Sequence, residues 1–199
     1  MKKIALLIGN SDGLEGVKTD LFEWKKFLTS PKGGAWERHE INMIMNPQKC
    51  ELLSYINELR KTKAYDFAVV VYSGHGGYDR QTILEINKHE ETINETDLYF
   101  IAPRQISVFD CCRCLVDGSE PINESQRTFS SGGPLSHLQK IRNAYNQRIG
   151  LAIPQQVCLY ACRIGETALD TESGALYIRT LLRQAKLFPK NEEFRTVES

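Results

Sequence analysis

A histidine and a cysteine each follow a short apolar segment of this chain. His75 lies in a glycine-rich turn, 73–77, directly after the β-branched and aromatic run 67–72. Cys112 comes shortly after the apolar run 106–109. Only a thiolate attacks a carbonyl carbon readily, and a free cysteine with a pKa of about 8.5 needs a nearby base to supply it. The two residues are therefore predicted to act as base and nucleophile. The glycines beside the histidine, Gly76 among them, also leave backbone N–H groups available to a developing oxyanion, with Cys112 as the second donor.

Short apolar strands alternate with amphipathic helices along the chain. The predicted strands cover 2–10, 39–45, 67–72, 106–109 and 157–161, and the predicted helices cover 14–28, 50–59 and 175–187. Such alternation predicts right-handed crossovers and a mostly parallel sheet with helices on both faces, an α/β sandwich of three layers. Ligands bind at the carboxyl ends of the strands in such sheets. His75 and Cys112 both come just after such an end.

The chain of 199 residues fits one domain, 1–190, followed by a charged tail, 191–199. The segment 113–154 is rich in glycine, serine, proline and asparagine and is predicted to be a long loop. It encloses a short helix with apolar positions on one face, at Leu135, Leu138, Ile141 and Tyr145. The segment 83–93 is predicted to be a polar hairpin, whose charged part 87–95 is a solvated edge.

The composition excludes several classes of protein. Lys plus Arg and Asp plus Glu number 25 each, so the overall charge indicates neither a nucleic-acid nor a membrane partner. The apolar stretch 4–8 is too short for a signal peptide or a membrane span, and the protein is expected to be cytoplasmic. Six cysteines in a cytosolic chain of this size do not indicate a disulfide framework.

The order and spacing of these motifs resemble the caspase/metacaspase clan of cysteine peptidases. The turn with His75 and the tetrad 110–113 look like the clan's catalytic motifs, and Gly9-Asn10 with 14–20 is similar to its first strand, loop and helix. The segment 160–170, followed by Ser173-Gly174-Ala175 and a helix, resembles the strand, substrate-binding loop and last helix of bacterial caspase-like proteins. The resemblance spans 3–182. It implies an endopeptidase with His75 as acid and base and with Cys112, directly before Arg113, as the nucleophile that forms an acyl-enzyme.

The resemblance also implies a specificity. Metacaspase-type enzymes cut after arginine or lysine, and the family's pocket residues match Asp20, Ser73 and Asp110, which are expected to converge at the mouth of the pocket. Two carboxylates suit a planar guanidinium, which pairs with them in a bidentate manner. Alternatively, Asp20 caps or pairs within a helix and Asp110 accepts backbone N–H groups. Arg113 and Arg163 are the residues that would reverse the specificity if either turned into the pocket.

Cys162 is a rival nucleophile, because 161–165 is similar to the caspase motif around the catalytic cysteine, but it follows a later strand. The remaining thiols, Cys50, Cys111 and Cys158, are expected to be buried. His39, His89 and His137 are expected at the surface.

Two functions from other classes compete with a peptidase. One is a catalytically silent module that binds partners. The other is a zinc-binding interaction domain using Cys111, Cys112 and Cys114 with His75, His89 or His137, which adjacent cysteines on opposite faces of a strand fit poorly. Calcium-dependent metacaspases carry an acidic cluster after the histidine strand, where this chain has only Asp79, Glu85 and scattered later acids, so no metal or other cofactor is expected.

The partners expected from the resemblance are polypeptide substrates and an activating protein or upstream regulator. The role it implies is a regulated effector protease in bacterial defence or programmed death. Self-cleavage is expected in 114–152, which contains four basic residues, Arg127, Lys140, Arg142 and Arg148.

Overall fold

The computed structural model of the protein describes residues 1–115 and 135–187. The strands are β1 (Lys3–Gly9), β2 (Ile41–Met45), β3 (Phe67–Ser73), β4 (Gly76–Asp79), β5 (Gln81–Glu85), β6 (Thr92–Asn94), β7 (Arg104–Asp110) and β8 (Gln155–Tyr160). The helices are α1 (Gly16–Thr29), α2 (Lys49–Thr62), α3 (Leu135–Leu151) and α4 (Leu176–Leu187). Short 3-10 turns lie at Pro31–Gly33, Arg38–Glu40 and Glu95–Leu98.

Five strands form a parallel sheet in the order β2-β1-β3-β7-β8. β1 and β3 lie inside it and are buried along their whole length, which is why they read as continuous apolar runs. Apolar side chains of α2 pack on one face, and those of α1 and α4 pack on the other. The predicted α/β sandwich with a mostly parallel sheet is confirmed, and each end of its five strands lies within two residues of the predicted bound.

The segment after His75 is a second, antiparallel sheet of three strands, β4-β5-β6. The predicted hairpin over 83–93 is present as the antiparallel pairing of β5 with β6. Its predicted polar, solvated character was wrong, because Leu84, Ile86 and Ile93 are at most 2% exposed and belong to the α2 side of the core. Asn87 and Glu95 are also buried, and both are hydrogen-bonded. Alternation along β5 turns every second side chain inward, while the charged residues between them gave the segment its polar appearance.

The helix α3 lies within the segment that was predicted to be a long loop, and it spans 17 residues. Arg142 forms a fork-like ion pair with the buried carboxylate of Glu40 and donates to the carbonyl of Ala35. The Tyr145 hydroxyl donates to the carbonyl of Lys32. Polar contacts therefore hold this helix against the turn before β2. The parts of the predicted loop and tail at 116–134 and 188–199 lie outside the described residues.

None of the helices within 1–115 and 135–187 is long and apolar enough to span a bilayer.

Candidate active site

The turn that carries His75 is held from below by Tyr72. The fully buried hydroxyl of Tyr72 lies 2.6 Å from the carbonyl oxygen of His75, to which it donates, and also contacts the carbonyl of Glu85. A Cβ atom at Gly74 would lie 2.7 Å from that hydroxyl and 2.9 Å from the Cβ of Asn10. Only glycine therefore allows the turn to pass this close to the tyrosine.

The imidazole of His75 has a defined partner. Its Nε2 lies 2.8 Å from the carbonyl oxygen of Asp12. Because a carbonyl only accepts, this hydrogen bond places a proton on Nε2 and leaves the lone pair of the neutral ring on Nδ1. The loop after β1 thereby selects the tautomer in which Nδ1 can act as a base.

Strand register brings Cys112 to the same place as His75. Ser73 at the end of β3 pairs with Asp110 at the end of β7, and the Gly74 N–H donates to the carbonyl of Asp110 at 3.1 Å. His75 and Cys112, each two residues beyond this pair, line one cavity. The two predicted catalytic residues are thus placed together, Cys112 half-buried and its neighbour Cys111 buried in the core.

The surroundings of Cys112 favour the protonated form of its side chain. Burial raises its pKa, and its Sγ lies 3.8 Å from the carbonyl oxygen of Ala168, toward which the thiol donates. The sulfur is therefore held as a thiol and not as the reactive thiolate.

The position of Gly76 fits an oxyanion donor. Gly76 lies opposite Leu84 in the antiparallel pair of β4 and β5. The Glu85 N–H donates to the carbonyl of His75, so the pairs on either side of Gly76 and Leu84 are the hydrogen-bonded ones. The N–H of Gly76 therefore does not bond to β5. The N–H of Gly76 then points to the same side as that of Tyr78, which donates to Cys114 at 2.9 Å. That side carries the chain that leaves Cys112.

The three predicted pocket residues meet at the cavity, which Ser73 and Asp110 line, with Asp20 bonded behind Ser73. The Ser73 hydroxyl donates to Oδ2 of Asp20 at 2.8 Å. Burial raises the pKa of Asp20 to about 7. Burial, and then the charge of Asp20, raises the pKa of Asp110 to about 8. The two carboxyls thus oppose each other's ionisation near neutral pH.

This acidic pair is closed off, whereas we expected it at the mouth of the pocket. Asp20 is 1% exposed and Asp110 is 4% exposed. Backbone N–H groups already occupy them, from Ala175 to Oδ1 of Asp20 at 2.9 Å and from Ile178 to Oδ2 of Asp110 at 3.2 Å. These donors sit at the start of α4.

The residues 168–175, which we call the closing segment, account for this burial. Its Ala168 faces the thiol of Cys112, and its Ala175 binds Asp20. Gly174 has φ +104°, and a Cβ there would lie 2.3 Å from Oδ1 of Asp20. The sequence showed this segment only through its resemblance to a substrate-binding loop. A glycine just before the last helix was the signal for a tight turn here.

Asp170 is a third acid of the site, which sequence reasoning missed. It lines the cavity together with His75 and Cys112. Burial raises its pKa, while the N–H groups of Thr171 and Gly16 and the charge of His75 favour its carboxylate. A Cβ at Gly16 would lie 2.2 Å from its Oδ1, so the closing segment packs directly on the first turn of α1.

Neither arginine that would reverse the pocket's charge enters it. The guanidinium of Arg113 lies over the ring of Tyr160, and Arg163 is exposed. The acidic pair is thus left without an arginine from these two positions.

Apart from Cys111, the other cysteines and histidines do not line the cavity of His75 and Cys112. Burial raises the pKa of Cys162 to about 11, and its thiol lies 3.3 Å from the carbonyl of Glu166. Cys158 packs against the core, but the prediction that Cys50 is buried was wrong, because it is exposed on the outer face of α2. The predicted surface histidines are exposed, at His39, His89 and His137. Within 1–115 and 135–187 no three His, Cys, Asp or Glu side chains converge as a metal site.

Comparison with models of known protein families assigns the chain to a family. The caspase domain model of peptidase family C14 matches residues 2–197. The chain belongs to the caspase domain family. This membership confirms the resemblance seen in the sequence and points to cysteine protease activity in general.

The structure is similar to the crystal structure of caspase-1 from Spodoptera frugiperda. The TM-score is 0.59 at 12% sequence identity, over 93% of this chain and 69% of that one. At this identity the likeness concerns the caspase fold alone. A search of curated protein sequences found no match.

Proposed function

We propose that this protein is a cysteine endopeptidase that cuts after arginine or lysine and is regulated by the closing segment. The observation that carries the proposal is that β3 and β7 end in register, so that His75 and Cys112 line one cavity above an acidic pair. Caspase-domain membership supports the general activity, and the arrangement of Asp20 and Asp110 supports the finer specificity.

In the proposed reaction, Nδ1 of His75 takes the proton of the Cys112 thiol as the sulfur attacks the scissile carbonyl carbon. The backbone N–H groups of Gly76 and Cys112 stabilise the oxyanion of the tetrahedral intermediate. The imidazolium then returns its proton to the leaving amine, and the carbonyl remains on sulfur as a thioester. Water, deprotonated by His75, hydrolyses this thioester and restores the thiol.

The preference for basic residues rests on Asp20 and Asp110. Both are buried, and two carboxylates in such a site are stabilised by a bidentate cation and repel an acidic side chain. Ser73 holds Asp20 in place through its hydroxyl. An arginine should be accepted at least as well as a lysine, because only its planar fork engages two oxygens at once.

Substrate binding requires the closing segment and the first turn of α4 to move. The N–H groups of Ala175 and Ile178 hold the oxygens that a substrate cation would take, and the carbonyl of Ala168 holds the thiol. An activating partner or an upstream cleavage would supply this opening, as expected for a regulated effector protease. No metal takes part in the proposed chemistry, so excess EDTA should leave the activity unchanged.

Self-cleavage within 114–152 should fall outside α3. Lys140, Arg142 and Arg148 lie in that helix, and a protease needs an extended substrate. Arg127 lies outside the described residues. Mass spectrometry of the incubated wild type beside Cys112→Ala would show the cut, and cuts confined to the helix would contradict this expectation.

The decisive experiment compares fluorogenic peptides that differ only in the residue before the cut. Wild type should hydrolyse those with arginine and lysine, and Cys112→Ala should hydrolyse neither, while Cys162→Ala keeps the activity. Full activity of Cys112→Ala would refute the nucleophile. Preferred hydrolysis after aspartate would refute the pocket and leave the catalytic pair standing.

The closed pocket favours one second candidate, a catalytically silent caspase-like module. Such a protein would bind partners through the same fold without admitting a substrate. A wild type that shows no hydrolysis of a peptide library, even when the closing segment is loosened by substitution, would favour this candidate.

A further inference from the structure

We propose that Arg113, the residue after Cys112, is a positioning residue that holds the nucleophile in place by stacking on tyrosine. The inference rests on the proposed function, because it takes Cys112 as the nucleophile. It concerns the geometry of that cysteine and not its charge.

The side chain of Arg113 joins strands of both sheets. Its guanidinium carbon lies 4.0 Å from the ring centroid of Tyr160 in β8 and 5.4 Å from that of Tyr78 in β4. Its Nε donates to the hydroxyl of Thr82 in β5 at 3.1 Å. A planar guanidinium makes such stacking and hydrogen bonding together, which a lysine ammonium does not.

The platform under the guanidinium is itself fixed. The ring of Tyr160 stacks on that of Phe109 at 5.5 Å, and its hydroxyl donates to Glu95 at 2.6 Å. The other oxygen of Glu95 accepts the backbone N–H of Thr82, at 3.2 Å. Each of the two main partners of Arg113 is thus tied to the same buried carboxylate.

The backbone of the two residues after Cys112 is fixed by hydrogen bonds. The N–H of Arg113 donates to the carbonyl of Glu166 at 3.0 Å, and its carbonyl accepts from Gly165 at 2.8 Å. The carbonyl of Cys114 accepts from Tyr78 at 2.9 Å. Side chain and backbone of Arg113 together leave the preceding residue, Cys112, little freedom at the end of β7.

A positioning role predicts a particular kinetic signature. A displaced nucleophile and oxyanion donor weaken the transition state, whereas the acidic pair still binds the substrate, so kcat should fall with little change in KM. The pH profile should keep its midpoint, because the guanidinium lies over the tyrosine rings. A cation that instead screened Asp20 and Asp110 would change KM and the preference for basic residues.

The experiment compares Arg113→Met and Arg113→Lys with Arg163→Met, a matched control in which an exposed arginine after another cysteine is removed. For Arg113→Met we expect kcat on an arginine peptide to fall about 10–100-fold with KM within about threefold, since misplacement by about 1 Å costs roughly this much. Arg113→Lys should recover little of the loss. Arg163→Met should resemble wild type.

Thr82→Val covers the case in which Arg113→Met fails to fold. It removes only the acceptor of the Nε hydrogen bond, and kcat should fall about three- to tenfold, the effect of one hydrogen bond of about 1 kcal/mol. Thr82→Ser, which keeps the hydroxyl, should restore the rate. Equal rates for the valine and serine variants would overturn the inference.

Alkylation by iodoacetamide, followed by mass spectrometry, adds a readout without peptide hydrolysis. The rate at Cys112 should change at least about threefold in Arg113→Met, as expected for a shifted thiol, while that of exposed Cys50 stays the same. An unchanged rate at Cys112 with unchanged kcat would refute the positioning role. Activity that survives in Cys112→Ala would instead refute the proposed function.

Discussion

Two regions meet at the candidate active site and are held in different ways. The ends of β3 and β7, which carry Ser73 and Asp110, are placed by a continuous ladder of backbone hydrogen bonds, and His75 and Cys112 each follow two residues later. The closing segment is held there by single contacts, such as Ala168 to the thiol and Ala175 to Asp20. Breaking one ladder bond leaves its neighbours intact. The closing segment has hydrogen bonds of its own, such as that from the Gly174 N–H to the carbonyl of Thr171, but only a few bonds tie it to the strand ends and α1.

The two regions would have different roles: the strand ends place the reacting residues, and the closing segment determines whether a substrate can reach them. Interior strands of a sheet open only in rare, near-global fluctuations, while segments with few contacts open locally at low cost. Under the proposed function, His75 and Cys112 are therefore preorganised, and access to the pocket would be regulated through the few hydrogen bonds to the carboxyls of Asp20 and Asp110.

The largest effect should come from the strand-end region. His75→Ala should lower hydrolysis about 10²–10⁴-fold, because it removes the base and acid of both steps. The melting temperature should stay close to that of wild type, since Tyr72 contacts the backbone of His75 and not its ring. His89→Ala, at an exposed histidine, serves as the control. A loss shared by both variants would contradict the assignment.

The closing segment should be sensitive to one methyl group. Gly174→Ala combines a φ of +104° with a Cβ only 2.3 Å from Asp20, so it should destabilise the protein by about 2–3 kcal/mol. Gly165→Ala has φ +87° but open space around it, and should cost about 1 kcal/mol. Denaturant unfolding measures both.

The same pair of variants tests access. Gly174→Ala pushes the segment from Asp20, so Cys112 should be alkylated faster than in wild type, whereas Gly165→Ala should leave that rate unchanged. Equal alkylation rates would mean that the closing segment does not shield the thiol.

The acidic pair should make stability depend on pH. The pKa of Asp110 is raised to about 8 in the folded state from 3.8, so its stabilising contribution is complete below about pH 4 and is lost as the pH rises through 8. Asp110→Asn removes this dependence, and its stability relative to wild type should increase between pH 5 and pH 9. Unfolding series at several pH values check it, with Asp79→Asn, at an exposed carboxyl, as the control. Parallel curves for wild type and Asp110→Asn would contradict the burial of this charge.

The smallest effect should follow from Ser73→Ala. It removes the hydroxyl that donates to Asp20 and favours its charged form, so the pKa of Asp20 should rise further and stability at pH 8 should fall by about 1 kcal/mol. Ser73→Cys keeps a weak donor and should lie between the two. A variant as stable as wild type would mean that the bond adds nothing.

The sheet and the meeting of His75 with Cys112 could be predicted, because buried parallel strands are continuous apolar runs and their carboxyl ends share one edge. The sequence did not reveal the burial of Leu84 and Ile86, because the alternation of inward and outward side chains there is short and the residues around it are charged. The closing of the pocket depends on backbone N–H groups of Ala175 and Ile178, which carry no residue-type signal. The pairing of Arg142 with Glu40 joins residues far apart in the chain, which spacing alone does not reveal.

Because β7 and β8 pair with each other, cleavage of the chain between them should not separate the two pieces. The two strands pair from Arg104–Gln155 to Phe109–Tyr160, yet the chain between them runs through 116–134. A cut anywhere in that stretch would separate the partners of one ladder onto two polypeptides, with α3 held to the first piece by the contact of Arg142 with Glu40. The pieces would remain a complex, and its melting temperature would rise with protein concentration, as for any bimolecular assembly.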